Sequence, residues 1–280
     1  MSRAPVNKII PSSVVDGPGN RTAVFLQGCN LRCAYCHNPE TQNLCNSCGV
    51  CLAVCPGGAL SQSAEGRVVW NEEKCVGCDA CIAACPNRAS PKVKWSSAEE
   101  VFVQIEKNLP FIRGITVSGG ECSLYPDFLT ELFRLSKAAG LSCLMDSNGM
   151  VELSAFPELI AVCDGVMLDV KAWDTGIHRQ LTGEENGPVK RNLAFLAKAG
   201  KLTEVRHVCV PGRADVKAVL EGVAQTLGPE ETAETPLKLI SFRPFGVRGE
   251  LSDMPQPHRV WMEELLREAR GLGFKRARLI

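Results

Sequence analysis

Residues 27–38 read Gln-Gly-Cys-Asn-Leu-Arg-Cys-Ala-Tyr-Cys-His-Asn, and the three cysteines of this stretch decide how the whole chain is interpreted. They are Cys29, Cys33 and Cys36, and they follow the apolar run Thr22 to Gln27, which predicts a strand. Three thiolates on a 4Fe–4S cluster leave one iron without a protein ligand, and a catalytic metal site keeps such an open position for its substrate. The stretch therefore predicts a reactive iron–sulfur centre in a loop after a strand.

Two more cysteine blocks follow, each with three cysteines separated by two residues and a fourth that precedes a proline. The first block contains Cys45, Cys48, Cys51 and Cys55, and the second contains Cys75, Cys78, Cys81 and Cys85. In bacterial two-cluster ferredoxins with this spacing, each 4Fe–4S cluster takes three thiolates from one block and the fourth from the other. Zinc is the alternative, but zinc sites place two cysteine pairs farther apart. The blocks therefore predict two further clusters, three in all.

The composition narrows the class of protein. The chain has 280 residues, 45% of them hydrophobic, which is enough for a large α/β domain with a real core. Its 31 Lys and Arg residues balance 31 Asp and Glu residues, so no basic surface for nucleic acid is expected. No apolar run suggests a membrane span or a secretory signal, so we expect a cytoplasmic protein. Four cysteines outside the blocks are expected to be buried as small apolar side chains: Cys122, Cys143, Cys163 and Cys209.

Outside the cysteine-rich stretch, β-branched apolar runs alternate with segments of helical spacing, which is typical of β–α units and a parallel sheet. The predicted strands are Thr22 to Gln27, Gly114 to Ser118, Leu141 to Asp146, Gly165 to Val170, Glu204 to Val210 and Leu237 to Phe242. Six strands are too few for the eight-stranded barrel, so we expect a partial, TIM-like (β/α)6 barrel. The apolar stripes from Phe128 to Leu135 and from Leu193 to Ala199 predict core-facing helices that end at Gly140 and Gly200.

The predicted barrel is interrupted after its first strand by a segment that holds both four-cysteine blocks and many glycines and prolines. The predicted domains are a barrel formed by residues 1–38 and 96–280, and a bacterial ferredoxin-like insertion formed by residues 39–95. Such a short insertion buries little apolar surface, so metal binding must supply much of its folding energy. Two overlapping Ser-x-x-Glu capping signals, at Ser96 and Ser97, predict a helix through about Asn108 that resumes the barrel.

Polar residues follow several predicted strands, at the end where parallel barrels place their active sites. Residues 118–121 (Ser-Gly-Gly-Glu) close the second strand, where glycines allow close backbone approach and Glu121 offers an acceptor for an ammonium group. Asp146–Ser147 close the third strand and residues 169–171 (Asp-Val-Lys) close the fourth. The alternative is that the two aspartates cap helices and Lys171 is solvated. The shared position of these residues favours ligand binding.

Taken with the cysteine triplet, these motifs resemble the radical S-adenosylmethionine superfamily and, within it, the activating enzymes of glycyl radical enzymes. The motifs that carry the resemblance are Val15 to Arg21 (Val-Asp-Gly-Pro-Gly-Asn-Arg), Gln27 to Cys29, Tyr35 to Asn38, Ser118 to Glu121, Asp146 to Gly149, Met167 to Lys171, Arg206, and Val210 to Gly212. Together they extend over nearly the whole chain.

The resemblance implies that S-adenosylmethionine binds the open iron through its amino and carboxylate groups. The residues implied for this cosubstrate are Tyr35, Cys36, His37, Gly119, Gly120, Glu121, Asp146, Ser147, Asp169, Val170 and Lys171. The family further implies a monovalent cation beside the cosubstrate's carboxylate, framed by Asp146, Ser147, Met167 and Asp169. Asp16 and Arg206 would lie near the incoming peptide of a partner enzyme.

The reaction implied by the resemblance starts when one electron passes from the open-site cluster to the sulfonium of S-adenosylmethionine. The carbon–sulfur bond breaks homolytically, and the 5'-deoxyadenosyl radical abstracts a hydrogen from the α-carbon of one glycine in a partner, a glycyl radical enzyme. The two clusters of the insertion would relay electrons from reduced flavodoxin or ferredoxin, or else be structural or dock the partner. We expect a monomer that binds neither nucleic acid nor a membrane.

One segment departs from the family. Activating enzymes often carry a histidine after the sixth strand that contacts the cosubstrate, whereas residues 241–246 here read Ser-Phe-Arg-Pro-Phe-Gly. That contact is either lost or replaced by stacking of Phe245 or hydrogen bonding of Arg243. The histidines without ligand spacing receive no role: His178, His207 and His258. Two other functions stay open, a radical enzyme that acts directly on a small metabolite and an electron-transfer protein of ferredoxin type.

Overall fold

The computed structural model describes residues 2–247 and 249–280 of the chain. Within these residues the strands are β1 (Arg3–Ser13), β2 (Arg21–Leu26), β3 (Leu60–Gln62), β4 (Val68–Trp70), β5 (Lys94–Ser97), β6 (Gly114–Gly119), β7 (Ser142–Ser147), β8 (Gly165–Asp169), β9 (Leu202–Cys209), β10 (Leu237–Ser241) and β11 (Ala277–Leu279). The α-helices are α1 (Ala80–Ala83), α2 (Ala98–Glu106), α3 (Pro126–Ala138), α4 (Pro157–Val162), α5 (Thr175–Thr182), α6 (Gly187–Lys198), α7 (Val216–Leu227), α8 (Pro229–Glu234) and α9 (Arg259–Gly271). None of the helices in these residues is both long and apolar enough to span a bilayer.

Nine strands form one sheet in the order β11-β10-β9-β8-β7-β6-β2-β1-β5. Every neighbouring pair from β2 to β11 is parallel, while β1 pairs antiparallel with both β2 and β5. The six predicted strands correspond to β2, β6, β7, β8, β9 and β10, which lie side by side. The predicted α/β fold with a mostly parallel sheet is therefore confirmed.

Three strands of this sheet are not predicted from the sequence: β1, β5 and β11. The strand β1 contains Pro5 and Pro11, and proline lacks the N–H that a strand ladder uses, so it argues against a strand. Register shifts between residues 6 and 8 and between residues 10 and 13 also break the alternation of β1. The sheet is therefore wider than the predicted six strands because β1 and β5 extend it beyond β2 and β11 extends it beyond β10.

Most buried apolar side chains of the helices and strands form one continuous core, and a second, smaller cluster contains Tyr35, Leu181 and Phe242. In α3, the buried side chains Phe128, Leu129, Leu132 and Phe133 lie at helical spacing on the face that meets the sheet. The helix ends at Ala138, two residues before Gly140, whose φ of 79° is left-handed and favours glycine. The prediction for the four unassigned cysteines is also confirmed, because each is fully buried: Cys122, Cys143, Cys163 and Cys209.

The segment between β2 and β5 carries both four-cysteine blocks and only short elements. These are the antiparallel pair β3–β4, the one-turn helix α1 and two short 3-10 helices, Pro39–Thr41 and Val50–Leu52. Its apolar centre is small, with Cys51, Leu60 and Cys81 as the buried members. The main sheet resumes at β5, which begins inside the predicted insertion and pairs with β1. Of the two overlapping capping signals, the one at Ser97 forms, because its hydroxyl accepts from the N–H of Glu100 and the Glu100 carboxylate accepts from the N–H of Ser97.

Candidate active site

A cavity of about 290 Å³ lies at the carboxyl ends of the parallel strands. The predicted site residues that line it are Cys29, Cys33, Tyr35, Cys36, His37, Gly119, Gly120, Asp146, Ser147, Asp169, Lys171 and Arg206. They come from the loop after β2 and from β6, β7, β8 and β9. The cysteine triplet and the strand-end residues therefore share one cavity, in the position where parallel barrels carry out their chemistry.

The loop that carries the three cysteines is held by hydrogen bonds to the segment that follows it. The amide N–H groups of Gly28 and Cys29 each donate to a carbonyl of residues 41–42 at 2.8 Å. The buried side-chain amide of Gln27 donates to two more carbonyls nearby, at residues 40 and 43, each at 2.6 Å. These bonds fix the cysteine loop before any metal binds, and they join it to the start of the insertion.

Gly119 and Gly120 allow the end of β6 to pack directly on the backbone of the cysteine loop. Gly119 has a φ of +120°, and a Cβ on it would lie 2.1 Å from the carbonyl oxygen of Leu26. A Cβ on Gly120 would lie 2.2 Å from the carbonyl oxygen of Gly28 and 2.7 Å from that of Thr41. These obstructing atoms belong to the backbone and cannot move aside like a flexible side chain. Both positions therefore require glycine.

Replacing Gly120 with alanine should displace the cysteine loop. We expect the free energy of unfolding to fall by about 3 kcal/mol, as for overpacking in a tight core. The variant should also retain less iron than the wild type after anaerobic reconstitution. The matched control is Gly271→Ala, because a Cβ at Gly271 meets no atom within 4 Å. Wild-type iron content and thermal stability in Gly120→Ala would contradict the packing argument.

The surroundings of the three cysteines in the loop favour the protonated thiol over the thiolate. Burial raises the pKa of the Cys29 thiol to about 12 and that of Cys33 to about 11, and it also raises the pKa of Cys36. A bound metal deprotonates such thiols outright. Within residues 2–247 and 249–280, no three Cys, His, Asp or Glu side chains converge closely enough to hold a single metal ion. A 4Fe–4S cluster does not require that convergence, because each of its thiolates binds a different iron.

Buried polar atoms without a partner also line the cavity. The Oη of Tyr35, the Nε2 of His37 and the Nε2 of Gln42 make no hydrogen bond in the part of the chain that the structure describes. Buried polar groups in proteins normally have partners. Burial lowers the pKa of His37, and the nearby charge of Arg243 lowers it further, so the ring is neutral at pH 7. Three unused polar groups beside three cysteines fit a polar small molecule bound next to a metal cluster.

Two ion pairs line the cavity, Asp169 with Lys171 and Asp146 with Arg206. The Oδ2 of Asp169 accepts from the Nζ of Lys171 at 2.8 Å, and that Nζ lies 5.9 Å from the centroid of the Tyr35 ring. The Oδ2 of Asp146 accepts from Nη1 of Arg206 at 2.9 Å. Burial alone would lower the pKa of Lys171, but the Asp169 carboxylate raises it well above its ordinary value. The cavity therefore offers fixed charges of both signs, which suits a zwitterionic ligand.

Glu121 and Val170 do not line the cavity, which differs from the expectation that they contact the cosubstrate. Both carboxylate oxygens of Glu121 are already used. Its Oε1 accepts from the N–H and hydroxyl of Ser123 and from the hydroxyl of Ser147, and its Oε2 accepts from the N–H of Asn148 at 2.7 Å. Glu121 therefore joins the end of β6 to the end of β7. Val170 is 1% exposed, and its backbone bonds to β9.

The two residues predicted near the partner peptide lie in different places. Arg206 lines the cavity, whereas Asp16 does not. The carboxylate of Asp16 accepts from the hydroxyl of Ser13 at 2.5 Å, and its carbonyl accepts from the hydroxyl of Thr116 at 2.5 Å. The loop of Asp16 lines a second cavity, of about 710 Å³, at the amino ends of β9, β10 and β11.

Two buried polar residues that join neighbouring loops and strands were not singled out by sequence reasoning, Asn148 at the active cavity and Arg21 at the amino end of β2. The side-chain amide of Asn148 lies 3.6 Å from the Sγ of Cys29 and donates to the side chain of Asn30 at 2.9 Å. Arg21 is 2% exposed, and its guanidinium donates to the hydroxyl of Thr116, which in turn donates to the loop of Asp16. Both residues belong to the motifs that carry the family resemblance, and that membership was the available signal.

Arg243 and Phe245, the two residues expected to replace the family's histidine contact, lie in different surroundings. Arg243 lines the cavity. Phe245 does not line it, and its side chain is 88% exposed. The expected stacking by Phe245 is therefore wrong, because the loop after β10 turns that ring to the outside.

The segment with the two four-cysteine blocks brings cysteines of both blocks together. Cys55 of the first block lines a small cavity with Cys75, Cys78 and Cys81 of the second. A hydrogen bond from the N–H of Gly77 lowers the pKa of Cys75 and so favours its thiolate. The cavity thus combines three cysteines of one block with the last cysteine of the other. In two-cluster ferredoxins, the ligands of one cluster come from the two blocks in the same way.

Solved structures of known proteins share the fold. A domain of pyruvate-formate lyase-activating enzyme from Bacteroides vulgatus superposes with a TM-score of 0.50 at 20% sequence identity, over 60% of this chain and 98% of that one. Streptococcus suis SuiB bound to S-adenosylmethionine superposes with a TM-score of 0.54 at 10% identity, over 90% of this chain and 47% of SuiB. At these identities the likeness concerns the fold alone.

Sequence similarity identifies the family. Residues 23–220 match the family model of the radical SAM superfamily. The benzylsuccinate synthase activating enzyme of Thauera aromatica is 34% identical over 86% of this chain and 79% of its own length. A putative glycyl-radical enzyme activating enzyme of Haemophilus influenzae is 31% identical over 88% of this chain and 84% of its own length. The chain therefore belongs to the radical SAM superfamily and, within it, to the activating enzymes of glycyl radical enzymes.

Proposed function

We propose that this chain activates a glycyl radical enzyme by forming a radical from S-adenosylmethionine and removing a hydrogen atom from the α-carbon of a glycine in that partner. One observation carries the proposal: three cysteines, three unpartnered polar atoms and two ion pairs meet in a single cavity at the carboxyl ends of the strands. The family supports it, since the relatives are named as activating enzymes of benzylsuccinate synthase and of a glycyl-radical enzyme.

The cysteine loop would hold the reactive cluster. Cys29, Cys33 and Cys36 would bind three irons of a 4Fe–4S cluster and leave the fourth iron for the cosubstrate. A reduced cluster held there would supply the one electron needed to cleave S-adenosylmethionine to methionine and a 5'-deoxyadenosyl radical. The chain fixes the loop in advance, through the bonds of Gly28 and Cys29 to residues 41–42, and surrounds it with buried side chains. Such a fixed, partly buried site would let the cofactor's chemistry proceed with fewer side reactions.

The cosubstrate would lie between the cysteine loop and the ends of β6, β7 and β8. The free Oη of Tyr35 and Nε2 of His37 would hydrogen-bond its polar groups, and Gly119–Gly120 would allow backbone approach. Lys171 would act as a fixed positive charge held by Asp169. Glu121 would contribute indirectly, because its carboxylate holds the Ser147–Asn148 turn that lines the cavity.

The direct test uses the anaerobically reconstituted full chain with dithionite and S-adenosylmethionine. We expect 5'-deoxyadenosine and methionine in equal amounts, measured by liquid chromatography. With the partner enzyme present, electron paramagnetic resonance should show the doublet of a glycyl radical. Absence of cleavage by protein with intact clusters would overturn the proposal, whereas cleavage that depends on a small metabolite would support a radical enzyme of another kind.

We propose further that residues 39–95 form a ferredoxin-like domain inserted between the barrel segments 1–38 and 96–280, and that it holds two clusters. One cluster, called the outer cluster here, would use Cys55, Cys75, Cys78 and Cys81, and the cavity that these four cysteines share supports it. The inner cluster would use Cys45, Cys48, Cys51 and Cys85. It would lie next to the reactive site, because Asn43 accepts from Gln27 and bonds through its own side chain to the carbonyl of Asn87 at 2.7 Å. An electron would thus pass from the outer cluster to the inner one and then to the cysteine loop.

Replacing both Cys78 and Cys81 with alanine should remove the outer cluster and slow activation of the partner enzyme at least tenfold with reduced flavodoxin or ferredoxin, since a relay would lose its first member (roughly 1.4 kcal/mol per tenfold change). Cleavage driven by dithionite should fall much less, because this small reductant can reach the inner clusters. The matched control is Cys143→Ala, a buried cysteine outside the blocks. Undiminished activation with the physiological reductant would leave the outer cluster a purely structural role.

Three finer expectations stay predictions. They are the identity of the electron donor as reduced flavodoxin or ferredoxin, the monomeric state, and a monovalent cation framed by Asp146, Ser147, Met167 and Asp169. No step proposed above depends on that cation, since Asp146 already has Arg206 as its positive partner.

A further inference from the structure

The side-chain amide of Asn148 is held in one orientation beside the cysteine loop. Its Oδ1 accepts from the backbone N–H of Met150 at 2.9 Å. Because a backbone N–H can only donate, the amide oxygen must face Met150 and the NH2 group must point away from it. The main-chain N–H of Asn148 donates to the Glu121 carboxylate at 2.7 Å, and the residue is only 6% exposed. The two N–H donors of this amide therefore have a fixed direction.

Both donors of the Asn148 amide point at the cysteine loop. Its Nδ2 donates to Oδ1 of Asn30 at 2.9 Å and lies 3.6 Å from the Sγ of Cys29, which is within hydrogen-bond distance for a sulfur acceptor. An NH2 group carries two hydrogens, so one is available for each acceptor. The same sulfur also accepts from the backbone N–H of Leu31 at 3.4 Å. Cys29 therefore has one donor from its own loop and a second from the end of β7.

The other surroundings of the Cys29 sulfur oppose negative charge. Burial raises the pKa of this thiol, and the charge of the Glu121 carboxylate raises it further. A cysteine that binds an iron is a thiolate, and an N–H donor stabilises an anionic acceptor. Hydrogen bonds to the sulfurs are also among the factors that set the reduction potential of an iron–sulfur cluster. Asn148 is thus placed where a donor has the largest effect on this sulfur.

We propose that Asn148 sets the reduction potential of the reactive cluster by donating a hydrogen bond to the Cys29 sulfur. A reduced cluster carries one more negative charge than an oxidised one, so the bond stabilises the reduced form more and raises the potential. Asn148 is a positioning residue, because it acts through Cys29. The inference rests on the proposed function, since it assumes that Cys29 binds an iron of the cluster that cleaves S-adenosylmethionine.

The test measures the midpoint potential of the reactive cluster in the anaerobically reconstituted full chain, by redox titration followed by electron paramagnetic resonance. The signal of this cluster is the component that the Cys33→Ala variant lacks. Asn148→Leu has a similar volume and no donor. It should lower the equilibrium constant for reduction about tenfold, which is a shift of about 59 mV to lower potential for one electron. Asn148→Ala removes the same donor without adding volume and should shift the potential in the same direction.

The matched control is Asn192→Leu. Asn192 is fully buried, and its amide donates to the carbonyls of Gly149 and Val151 and accepts from the N–H of Leu153. These bonds hold the loop after β7, to which Asn148 also belongs, but they do not include the cysteine loop. The control should lower the midpoint of thermal unfolding and keep the equilibrium constant for reduction within about twofold of the wild type.

A second measurement uses the wild type alone. With 15N placed in the side-chain amides of asparagine, pulsed electron paramagnetic resonance should detect a 15N nucleus coupled to the reduced reactive cluster through the hydrogen bond. Absence of that coupling would overturn the inference, whether or not the Asn148 variants fold. A wild-type potential in either Asn148 variant, or an equal shift in Asn192→Leu, would overturn it as well.

The outcomes also separate this inference from the proposed function. Wild-type protein that assembles its clusters but fails to cleave S-adenosylmethionine would overturn the proposed function, and the inference with it. Wild-type cleavage together with an unchanged potential in the Asn148 variants would overturn the inference alone.

Discussion

Replacement of Cys33 with alanine should abolish cleavage of S-adenosylmethionine. Cys33 lies in the active cavity, is 8% exposed, and is one of only three cysteines in its block, so a cluster that loses it keeps two protein ligands. We expect 5'-deoxyadenosine below detection and a loss of about four of about twelve irons per chain, because one of three clusters would not assemble. Iron analysis and chromatography of the anaerobically reconstituted variant measure both effects.

The matched control is Cys209→Ala, because Cys209 is fully buried in β9 and lies outside all three blocks. It should keep full iron content and cleavage, at a cost of about 1 kcal/mol in stability from the small cavity. Cleavage by Cys33→Ala at more than a trace would show that the reactive cluster is held elsewhere, and the assignment of the triplet would fail.

Glu121→Ala should be the most destabilising of the changes near the cavity. The carboxylate accepts four hydrogen bonds, from two groups of Ser123 and from Ser147 and Asn148, and all of them are buried. Removing it leaves these donors without a partner, which costs about 4 kcal/mol if each costs about 1 kcal/mol. The midpoint of anaerobic thermal unfolding should fall by about 10 °C, followed by circular dichroism.

The control is Glu106→Ala, which removes an exposed carboxylate at the end of α2. Its unfolding midpoint should stay within about 2 °C of the wild type. A Glu121→Ala variant that keeps wild-type stability and loses only affinity for S-adenosylmethionine would restore the role expected from the sequence, in which Glu121 binds the ammonium group.

The parallel part of the sheet could be predicted because each of its strands carries its own signal. The runs that became β6 and β8 are apolar and β-branched, and the run that became α3 has clear helical spacing. By contrast, β1 contains two prolines, and β11 is only three residues long. These strands form because they pair with β2 and β10, and the residues within β1 and β11 do not indicate which strand lies beside them.

The site shows the same division between local and distant information. Spacing alone placed Cys29, Cys33 and Cys36 in one loop, because three metal ligands in eight residues leave few other readings. The pairing of Arg206 with Asp146 joins residues 60 positions apart, and no spacing rule indicates it. The hydrogen bonds of Glu121 could not be predicted for a related reason, since its partners Ser147 and Asn148 belong to a different strand end.

The two ends of the insertion meet. The N–H of Ser90 donates to the carbonyl of Glu40 at 2.9 Å, so the segment that holds both four-cysteine blocks begins and ends at nearly the same point. A module with adjacent ends can be gained, lost or exchanged in evolution without moving the sheet that carries it. In the proposed function, the electron supply and the recognition of the partner enzyme would thus belong to different parts of the chain, and a change in one would leave the other in place.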